Sequence, residues 1–264
     1  MENTLWAAYI SACKESVFDF NRFFIWFTWQ ENIQREVGSN KKYEMVRQTI
    51  CKVISDEQNT FDNLHVTWQQ NPTGDLCIEK NGTLLNINQL SAGEKMLMIL
   101  VADLARRLIV ANPKSDNPLH GEGVVLIDEI DLHLHPSWQR AIVPNLIEIF
   151  PNCQFIITTH SSLVLSNVSH KNVIILEDFQ AVKITPHTYG RDNNSILYDL
   201  MGVNQRPDDI QQQLDKVYEL IEEGKESEAR TLLEKLSKDL GENDVAIVQA
   251  HVSLNFMDID DETN

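Results

Sequence analysis

Basic residues are scarce in this sequence of 264 residues. It contains 22 Lys and Arg against 39 Asp and Glu, which gives a formal net charge of −17 at pH 7. Sequence-independent binding to nucleic acid needs Lys and Arg to displace counterions from the phosphates. The charge balance therefore disfavours DNA as the main partner of this chain and leaves room only for a local basic patch.

Cysteine pairs and long apolar runs are also missing. The cysteines are scattered along the chain, at Cys13, Cys51, Cys77 and Cys153. Without a C-x-x-C pair, neither a zinc site nor a disulfide framework is indicated, which suits a reducing compartment. The sequence has Glu2 where a signal peptide has basic residues, and polar residues interrupt the aromatic stretch 18–29. We therefore expect a cytoplasmic protein without a membrane span.

The first third of the chain predicts helices followed by a small sheet. Four phenylalanines between residues 20 and 27 lie at helical spacing. They predict a helix whose aromatic face either packs in the core or binds a partner. A second helix is predicted over residues 43–54. From residue 64 to 87 the apolar period changes to two, and Asn81-Gly82 predicts a tight hairpin within a small antiparallel sheet.

The middle of the chain predicts a parallel sheet. Short continuous apolar runs occur at residues 124–128, 155–159 and 173–176, and residues 137–149 have helical spacing. Buried parallel strands with crossover helices have this pattern. Residues 181–185 are a candidate antiparallel edge strand.

The C-terminal part predicts a helix pair. Apolar residues beyond residue 207 have helical spacing, with a break at Gly224 and a third short helix from about residue 244. The pair resembles one helical repeat, and a single repeat is too little for a solenoid.

Two neighbouring carboxylates are the main catalytic candidates. Asp128 and Glu129 follow four apolar residues, which places them at the carboxyl edge of a strand, where open α/β sheets bind ligands. Because Mg²⁺ prefers oxygen ligands, we assign Asp128 to the metal and Glu129 to the general base that activates water. His160 reaches the same edge if the two strands are neighbours, and it could contact a γ-phosphate or its attacking water. The alternatives are a helix-capping acid pair and a structural histidine.

A second candidate is the turn before the long helix predicted to reach about residue 111. The Ser91 hydroxyl and the N–H groups through Gly93 would form an anion site at a helix N-terminus. The alternative is a simple N-cap with Glu94 as the reciprocal acid, and cap and anion site can coexist. Asp131 is close enough to Glu129 in sequence to face a neighbouring subunit or to shape the turn. His133 and His135 supply too few ligands for a zinc site.

Together these segments resemble the ABC-type ATPases. Residues 90–95 (LSAGEK) resemble the signature motif, and residues 124–129 (VVLIDE) resemble the Walker B strand. Residues 130–136 resemble the D-loop, and His160 resembles the switch histidine. Within that superfamily, LIDEIDLHLHP and TTHS are most similar to the RecF-like, AAA-type proteins. That group of bacterial ATP-binding proteins includes the Septu and retron-associated anti-phage ATPases.

The resemblance implies a fold and a set of ligands. The fold would be an α/β, ABC-type P-loop NTPase portion with parallel core strands, a small antiparallel hairpin, a helical lobe and a C-terminal helix pair. In that family two protomers pack head to tail around two ATP molecules. Each ATP contacts the Walker A loop of one protomer and the signature motif of the other, so ATP and Mg²⁺ are the implied cofactors. The implied nucleotide-binding residues are Ser91, Gly93, Glu94 and Asp131, of which the first two would touch the opposite protomer's nucleotide.

One part of the family pattern is missing. No Gly-Lys-Ser or Gly-Lys-Thr occurs among the 10 glycines, although the Walker A loop needs that sequence to hold the β- and γ-phosphates. We therefore expect the C-terminal portion of a longer ATPase, inactive alone. Its expected partners are a second copy, or a split-ATPase half that supplies Walker A, and an effector nuclease. The expected domains are an ATPase domain (1–200), a helical subdomain (207–257) and an acidic tail (258–264).

The expected function is ATP binding and hydrolysis, with ATP-driven dimerisation that controls an effector or a DNA transaction in anti-phage defence. The alternative is a non-hydrolysing regulatory or scaffold subunit. Asp128 and Glu129 argue against the alternative, because a scaffold has no chemical reason to keep an acid pair at a strand end.

Overall fold

The structure of the chain, a computed structural model, describes residues 20–69, 71–182 and 186–262. Its contacts divide the chain into two units, of which the first ends at Asn193 and the second begins at Asn194. Each unit has its own hydrophobic core. Two separate cores are expected when a chain folds as two domains.

Three helices contribute much of the first core. They are α1 (Phe20–Val37), α2 (Lys41–Ile54) and α3 (Ala92–Ala111). Phe23 and Phe27 on α1 are 1% and 0% exposed, and the centroids of the Phe27 and Tyr43 rings lie 4.9 Å apart. The aromatic face predicted for α1 therefore packs in the core, which confirms that interpretation over a partner-binding surface.

An antiparallel sheet lies against α2. It consists of β1 (Phe61–Thr67), β2 (Asp75–Lys80) and β3 (Thr83–Asn86), in that order. Lys80 pairs with Thr83, so the loop between β2 and β3 contains only Asn81 and Gly82, with φ of 50° and 76°. A type I′ turn requires positive φ at both positions. The hairpin predicted from Asn81-Gly82 is confirmed.

A second, parallel sheet positions the candidate site. β4 (Gly123–Ile127) and β5 (Cys153–Ile157) pair in register along their whole length, and the connection between them contains α4 (Pro136–Ile149). Parallel strands need a crossover connection of this kind. A short helix, α5 (Ser162–Leu165), follows β5. The mixed α/β class and the two central strands are therefore confirmed.

The parallel sheet is buried on one face only. Val125 and Ile127 pack against the first core, whereas Val124, Leu126 and Ile156 are 65%, 71% and 52% exposed. The prediction of fully buried strands is therefore wrong for the second face. A parallel sheet normally has both faces covered, so this face is an uncovered apolar surface in the described part of the chain.

The third predicted parallel strand, over residues 173–176, is also wrong. Ile175–Glu177 forms β6, which pairs antiparallel with β7 (Gln180–Val182) in a separate hairpin. The two residues between them, Asp178 and Phe179, have φ of 48° and 61°. Because a two-residue turn of this kind brings sequence neighbours together, β6 pairs locally instead of joining β5.

The predicted edge strand over residues 181–185 is partly within the structure. Residues 181 and 182 belong to β7, which is antiparallel as predicted. Residues 183–185 lie outside the described residues.

Helices make up the second unit. They are α6 (Asn193–Met201), which starts at the boundary, α7 (Asp208–Glu222), α8 (Glu226–Leu240) and α9 (Val245–Glu262). The last three share one core, in which Val217, Leu233 and Ile247 are all 0% exposed. Gly224 separates α7 from α8 with φ of 71°, so the predicted pair, its break and the third helix are confirmed. Among the described helices, none combines the length and hydropathy needed to cross a bilayer.

Candidate functional site

The candidate site lies where β4 and β5 end. Asp128 and Glu129 directly follow β4, and residues 158–161 directly follow β5. Because the strands are parallel neighbours, both segments emerge at the carboxyl edge of the sheet, where open α/β sheets bind ligands. The structure therefore meets the condition on which His160 was placed near the acid pair. Asp128, Glu129 and His160 are all exposed at this edge.

Thr158 joins the two strand ends. Its hydroxyl donates to a carboxylate oxygen of Asp128 and accepts the backbone N–H of Glu129 at 2.8 Å. The Thr158 N–H donates to Ile127 O at 2.9 Å, and the Ile130 N–H donates to Thr158 O at 3.1 Å. Glu129 has φ of 48°, a left-handed conformation that residues other than glycine rarely adopt. The end of β5 thus holds the acid pair in place.

Asp131 is attached to the same strand end. The Thr159 hydroxyl donates to one carboxylate oxygen of Asp131, and the backbone N–H of His160 donates to the same oxygen at 3.3 Å. In this chain Asp131 therefore shapes the turn between β4 and α4. The ring of His160 takes no part in these bonds, which leaves its nitrogens at the exposed edge.

Gln139 on α4 completes the network. It accepts the Ser161 hydroxyl at 2.6 Å through Oε1, and its Nε2 donates to Leu134 O at 3.0 Å and to Asp131 O at 3.4 Å. One amide side chain thus binds both the segment after β5 and the turn after β4. These contacts connect the position of His160 to the turn that contains Asp131.

The turn at Ser91 starts α3 with a capping box. The Glu94 N–H donates to the Ser91 hydroxyl oxygen at 3.3 Å, and the Ser91 N–H donates to the Glu94 carboxylate at 2.6 Å. Lys80 on β2 donates to the other carboxylate oxygen at 2.7 Å. The cap interpretation is confirmed. Ser91 is exposed while Glu94 is 4% exposed, so only Ser91 of this pair is accessible to a ligand.

The Glu94 carboxyl gives a test of this cap. Burial raises the pKa of Glu94, but the Lys80 ammonium and the Ser91 bonds outweigh burial and hold the pKa below its ordinary value of 4.5. The cap therefore stabilises the fold fully above pH 4.5, and this stability is lost as the pH falls through the folded-state pKa. We expect the free energy of unfolding to fall more steeply between about pH 5 and pH 3 in the native sequence than in Glu94→Gln. Equal pH dependence in urea unfolding would contradict the Lys80–Glu94 contact.

Gly93 packs closely against the turn after β4. A Cβ atom at this position would lie 2.5 Å from the carbonyl oxygen of His133 and 3.5 Å from the Trp138 ring. Gly93 is itself buried. The absence of a side chain at Gly93 is therefore used inside this chain, where it brings the start of α3 against the segment that follows the acid pair.

The oxygen atoms at the edge fit a hard cation such as Mg²⁺. Asp128 offers a carboxylate and Thr158 a hydroxyl. Within the described ranges, no group of three or more His, Cys, Asp or Glu is placed to hold a metal ion. A cation here would take its other ligands from water and phosphate, as Mg²⁺ commonly does. His135 instead caps α4 by accepting the Ser137 N–H at 3.3 Å.

Substitution of Thr158 tests whether it positions the acid pair. Thr158→Val keeps the shape but removes the hydroxyl, so the Glu129 N–H loses its partner. Because the site is exposed, we expect a loss of about 0.5–1.5 kcal/mol in the free energy of unfolding, measured with urea. Thr158→Ser keeps the hydroxyl and should recover most of that loss. Equal stability of the Val and Ser variants would contradict the bonding at this position.

Sequence reasoning missed Thr158, Thr159 and Gln139 as members of the site. The threonines bond to carboxylates 30 and 28 residues earlier in the chain, a pairing that only the adjacency of β4 and β5 reveals. Their position immediately after a strand was the available signal. Gln139 belongs to no motif and could not be found before the fold was known.

A protein-family comparison places the site within a described domain. Residues 30–166 match the family described as "AAA domain, putative AbiEii toxin, Type IV TA system". The matched region extends from α1 to just beyond α5. It includes every candidate site residue between Ser91 and Ser161.

Curated relatives extend beyond this chain. "Retron Ec83 probable ATPase" of Escherichia coli is 41% identical over 203 residues, which are 74% of this chain and 36% of that protein. "Retron Vc95 probable ATPase" of Vibrio cholerae serotype O1 biovar El Tor is 40% identical over 190 residues, 68% of this chain and 37% of that protein. "Septu protein PtuA" of Bacillus thuringiensis is 29% identical over 199 residues, 71% of this chain and 49% of that protein. The chain thus spans little more than a third of the first two relatives.

Among solved structures, one titled "Structural biochemistry of ATP-driven dimerization and DNA stimulated activation of SMC ATPases" matches 58% of this chain and 86% of its own. The TM-score is 0.37 and the identity is 18%. A score this low supports no argument about function, so the fold description rests on the strands and helices of the chain itself.

Proposed function

The chain belongs to the AAA domain family described as "putative AbiEii toxin, Type IV TA system", and on that premise we propose that it is the acid-bearing half of a magnesium-dependent ATPase. Two relatives are named probable ATPases, which supports ATP as the substrate. In the proposed enzyme, the phosphate-binding loop comes from another polypeptide segment, called the Walker A half below.

One observation carries this proposal. Thr158 binds both members of the acid pair, so Asp128, Glu129 and the segment with His160 meet at one exposed edge of a parallel pair. A helix-capping acid pair would not need contacts to a neighbouring strand end. The arrangement instead fits a site whose carboxylates must keep fixed positions relative to a ligand.

The residues of this chain have distinct roles in the proposed hydrolysis. Asp128 would hold Mg²⁺, which neutralises charge on the β- and γ-phosphate oxygens when it is bound. Glu129 takes a proton from the water that attacks the γ-phosphorus, and the bond between the γ-phosphorus and the β–γ bridging oxygen breaks to release ADP. His160 contacts the γ-phosphate or the attacking water. Thr158 positions the acids and does not touch the substrate.

The uncovered sheet face supports completion by other residues. Val124, Leu126 and Ile156 form an apolar surface on the strands that lead to the acids. Covering three such side chains is favourable by roughly 25 cal/mol per Å² of apolar area removed from water. We propose that the Walker A half covers this face and so brings its loop to the carboxyl edge. It is provided either by the same subunit of a longer protein or by a separately encoded partner.

The Ser91 turn is proposed to meet a nucleotide held by another protomer. Ser91 is exposed at the start of α3 and would make this contact together with the free N–H groups of the first helical turn. Gly93 would allow the close approach of the turn, Glu94 would hold the cap, and Asp131 would orient the turn that faces the other protomer. A head-to-tail dimer with two ATP molecules follows from this arrangement.

A role in anti-phage defence is proposed from the relatives, whose printed names refer to retrons and Septu. ATP-driven dimerisation would control an effector, such as a nuclease, or a DNA transaction in the cytoplasm. The net charge of −17 makes this chain an unfavourable main contributor to DNA contact. A non-hydrolysing scaffold is the second candidate, since no Gly-Lys-Ser or Gly-Lys-Thr occurs in the sequence.

The coding sequence beside this chain provides the test. A neighbouring or in-frame segment with G-x-x-x-x-G-K-[ST] is produced together with the chain, and phosphate release is measured for each part and for the mixture. We expect hydrolysis only in the mixture. An inactive mixture in which both parts are folded and bound to each other would favour the scaffold.

A further inference from the structure

The last helix of the second unit is apolar on two opposite sides. Ile247, Ala250 and Leu254 are 0% exposed and pack against α7 and α8. On the other side, Val245, Val248 and Val252 are 68%, 46% and 48% exposed. The spacing of three and four residues places these valines in one row along the helix. We call the row the α9 stripe.

A helix with two apolar sides is typical of an inner helix in a layered array. In such arrays each helix packs on its neighbours, and the terminal helix has a polar outer face. α9 follows α7 and α8 in the same layered order, yet its outer side has the α9 stripe. The exposed residues beside the stripe, Gln249 and Asn255, are uncharged. The shape and chemistry of this face therefore suit another amphipathic helix.

Charge decides which helix can bind. Residues 194–264 contain 6 Lys and Arg against 17 Asp and Glu, a net charge of −11 within the whole chain's −17. At least four of the six basic residues are already paired with acids within the unit. A second copy of this unit would bring two strongly negative surfaces together, which is unfavourable within a Debye length of about 8 Å. A helix with Lys and Arg beside its apolar row has the complementary charge.

We propose that the α9 stripe is a docking site for a basic amphipathic helix of a partner protein. The partner's apolar side chains pack between Val245, Val248 and Val252, and its cations lie over the acidic surface of the unit. This binding does not require ATP or the acid pair after β4. It gives the second unit a recruitment role separate from the proposed hydrolysis.

Synthetic helices of about 20 residues, long enough to be stable as helices, test the proposal with the full chain. One peptide has Leu at helical spacing flanked by Lys, a second has the same Leu row flanked by Glu, and a third has the composition of the first in scrambled order. Binding is measured by fluorescence anisotropy. We expect the Lys peptide to bind and the other two to bind at least tenfold more weakly, with affinity falling as salt increases.

Variants of the chain show where the peptide binds. Val248→Glu with Val252→Glu places charge in the stripe and should lower affinity for the Lys peptide at least tenfold. Thr231→Glu is the matched control, because Thr231 is similar in size to Val and is exposed on α8. It should leave affinity unchanged. Circular dichroism melting confirms that each variant is folded.

Three results would overturn the proposal. The stripe variant could bind the Lys peptide as tightly as the native sequence, or the Glu peptide could bind as tightly as the Lys peptide. Light scattering could show that the native chain self-associates and that the stripe variant does not. That last result would assign the stripe to a second copy of this chain.

Discussion

Replacing Glu129 by Gln is expected to lower ATP turnover by about 10²- to 10⁴-fold in the protein assembled with its Walker A half. An amide has nearly the same size as the carboxylate but cannot take a proton from the attacking water. ATP and Mg²⁺ should still bind, because Asp128 is assigned to the metal. The variant should therefore form ATP-dependent dimers that persist longer than those of the native sequence. Phosphate release and light scattering measure the two properties.

The control for this variant is Glu122→Gln. Glu122 is an exposed acid that precedes β4, at the opposite end of the strand from Glu129. It makes the same change from acid to amide and should leave turnover unaffected. Undiminished hydrolysis by Glu129→Gln would refute the base assignment. Loss of dimers together with turnover would show that Glu129 acts in binding.

Replacing Gly93 by Ala is expected to lower the free energy of unfolding by about 1–3 kcal/mol, the usual cost of forcing an extra methyl into a filled space. The new Cβ would lie 2.5 Å from the backbone carbonyl of His133, so the backbone after the acid pair must shift. In an exposed helix the same change would stabilise by about 1 kcal/mol, because Ala is the better helix former. The sign of the effect therefore reports the contact with His133.

Gly123→Ala is the matched control for this second variant. A Cβ at Gly123 would meet only Cys153 Sγ at 3.7 Å, an ordinary van der Waals distance. We expect its unfolding free energy, measured in urea, to stay within about 0.5 kcal/mol of the native value. A Gly93→Ala variant as stable as the native chain would mean that the start of α3 does not press on the turn.

Local patterns were sufficient to predict much of the fold. The aromatic spacing in α1 and the break at Gly224 predicted helices because one residue in three or four must face the core. Asn81-Gly82 predicted the hairpin because few residues tolerate positive φ at both turn positions. The acid pair could be placed at a sheet edge because a charged residue that follows four apolar residues must lie past the end of a strand.

Pairing partners could not be predicted in the same way. The apolar run at residues 173–176 has the composition of a parallel strand, but the turn at Asp178 and Phe179 pairs it with its own neighbour. Apolar side chains at Val124 and Leu126 also could not show that their face is uncovered here, because hydrophobicity indicates a preference for burial and not what supplies it.

The bonds within the site depend on distances between separate strands. Thr158 could hold Asp128 only because β5 lies beside β4 and ends at the same level, a fact of register that no single segment contains. The contact of Gly93 with His133 likewise depends on the packing of α3 against the turn. Sequence reasoning therefore found the acids and the histidine and missed what positions them.

The most direct test of the central claim is to locate the metal in the assembled protein. Fe²⁺ added in place of Mg²⁺, with a non-hydrolysable ATP analogue, generates hydroxyl radicals that cut the backbone beside the bound ion, and mass spectrometry identifies the cuts. We expect cuts in this chain next to Asp128 and at the end of β5, together with cuts in the Walker A loop of the other half. Asp128→Asn should remove them. Cuts in the Walker A half alone, unchanged by Asp128→Asn, would contradict the claim that this chain contributes the catalytic edge.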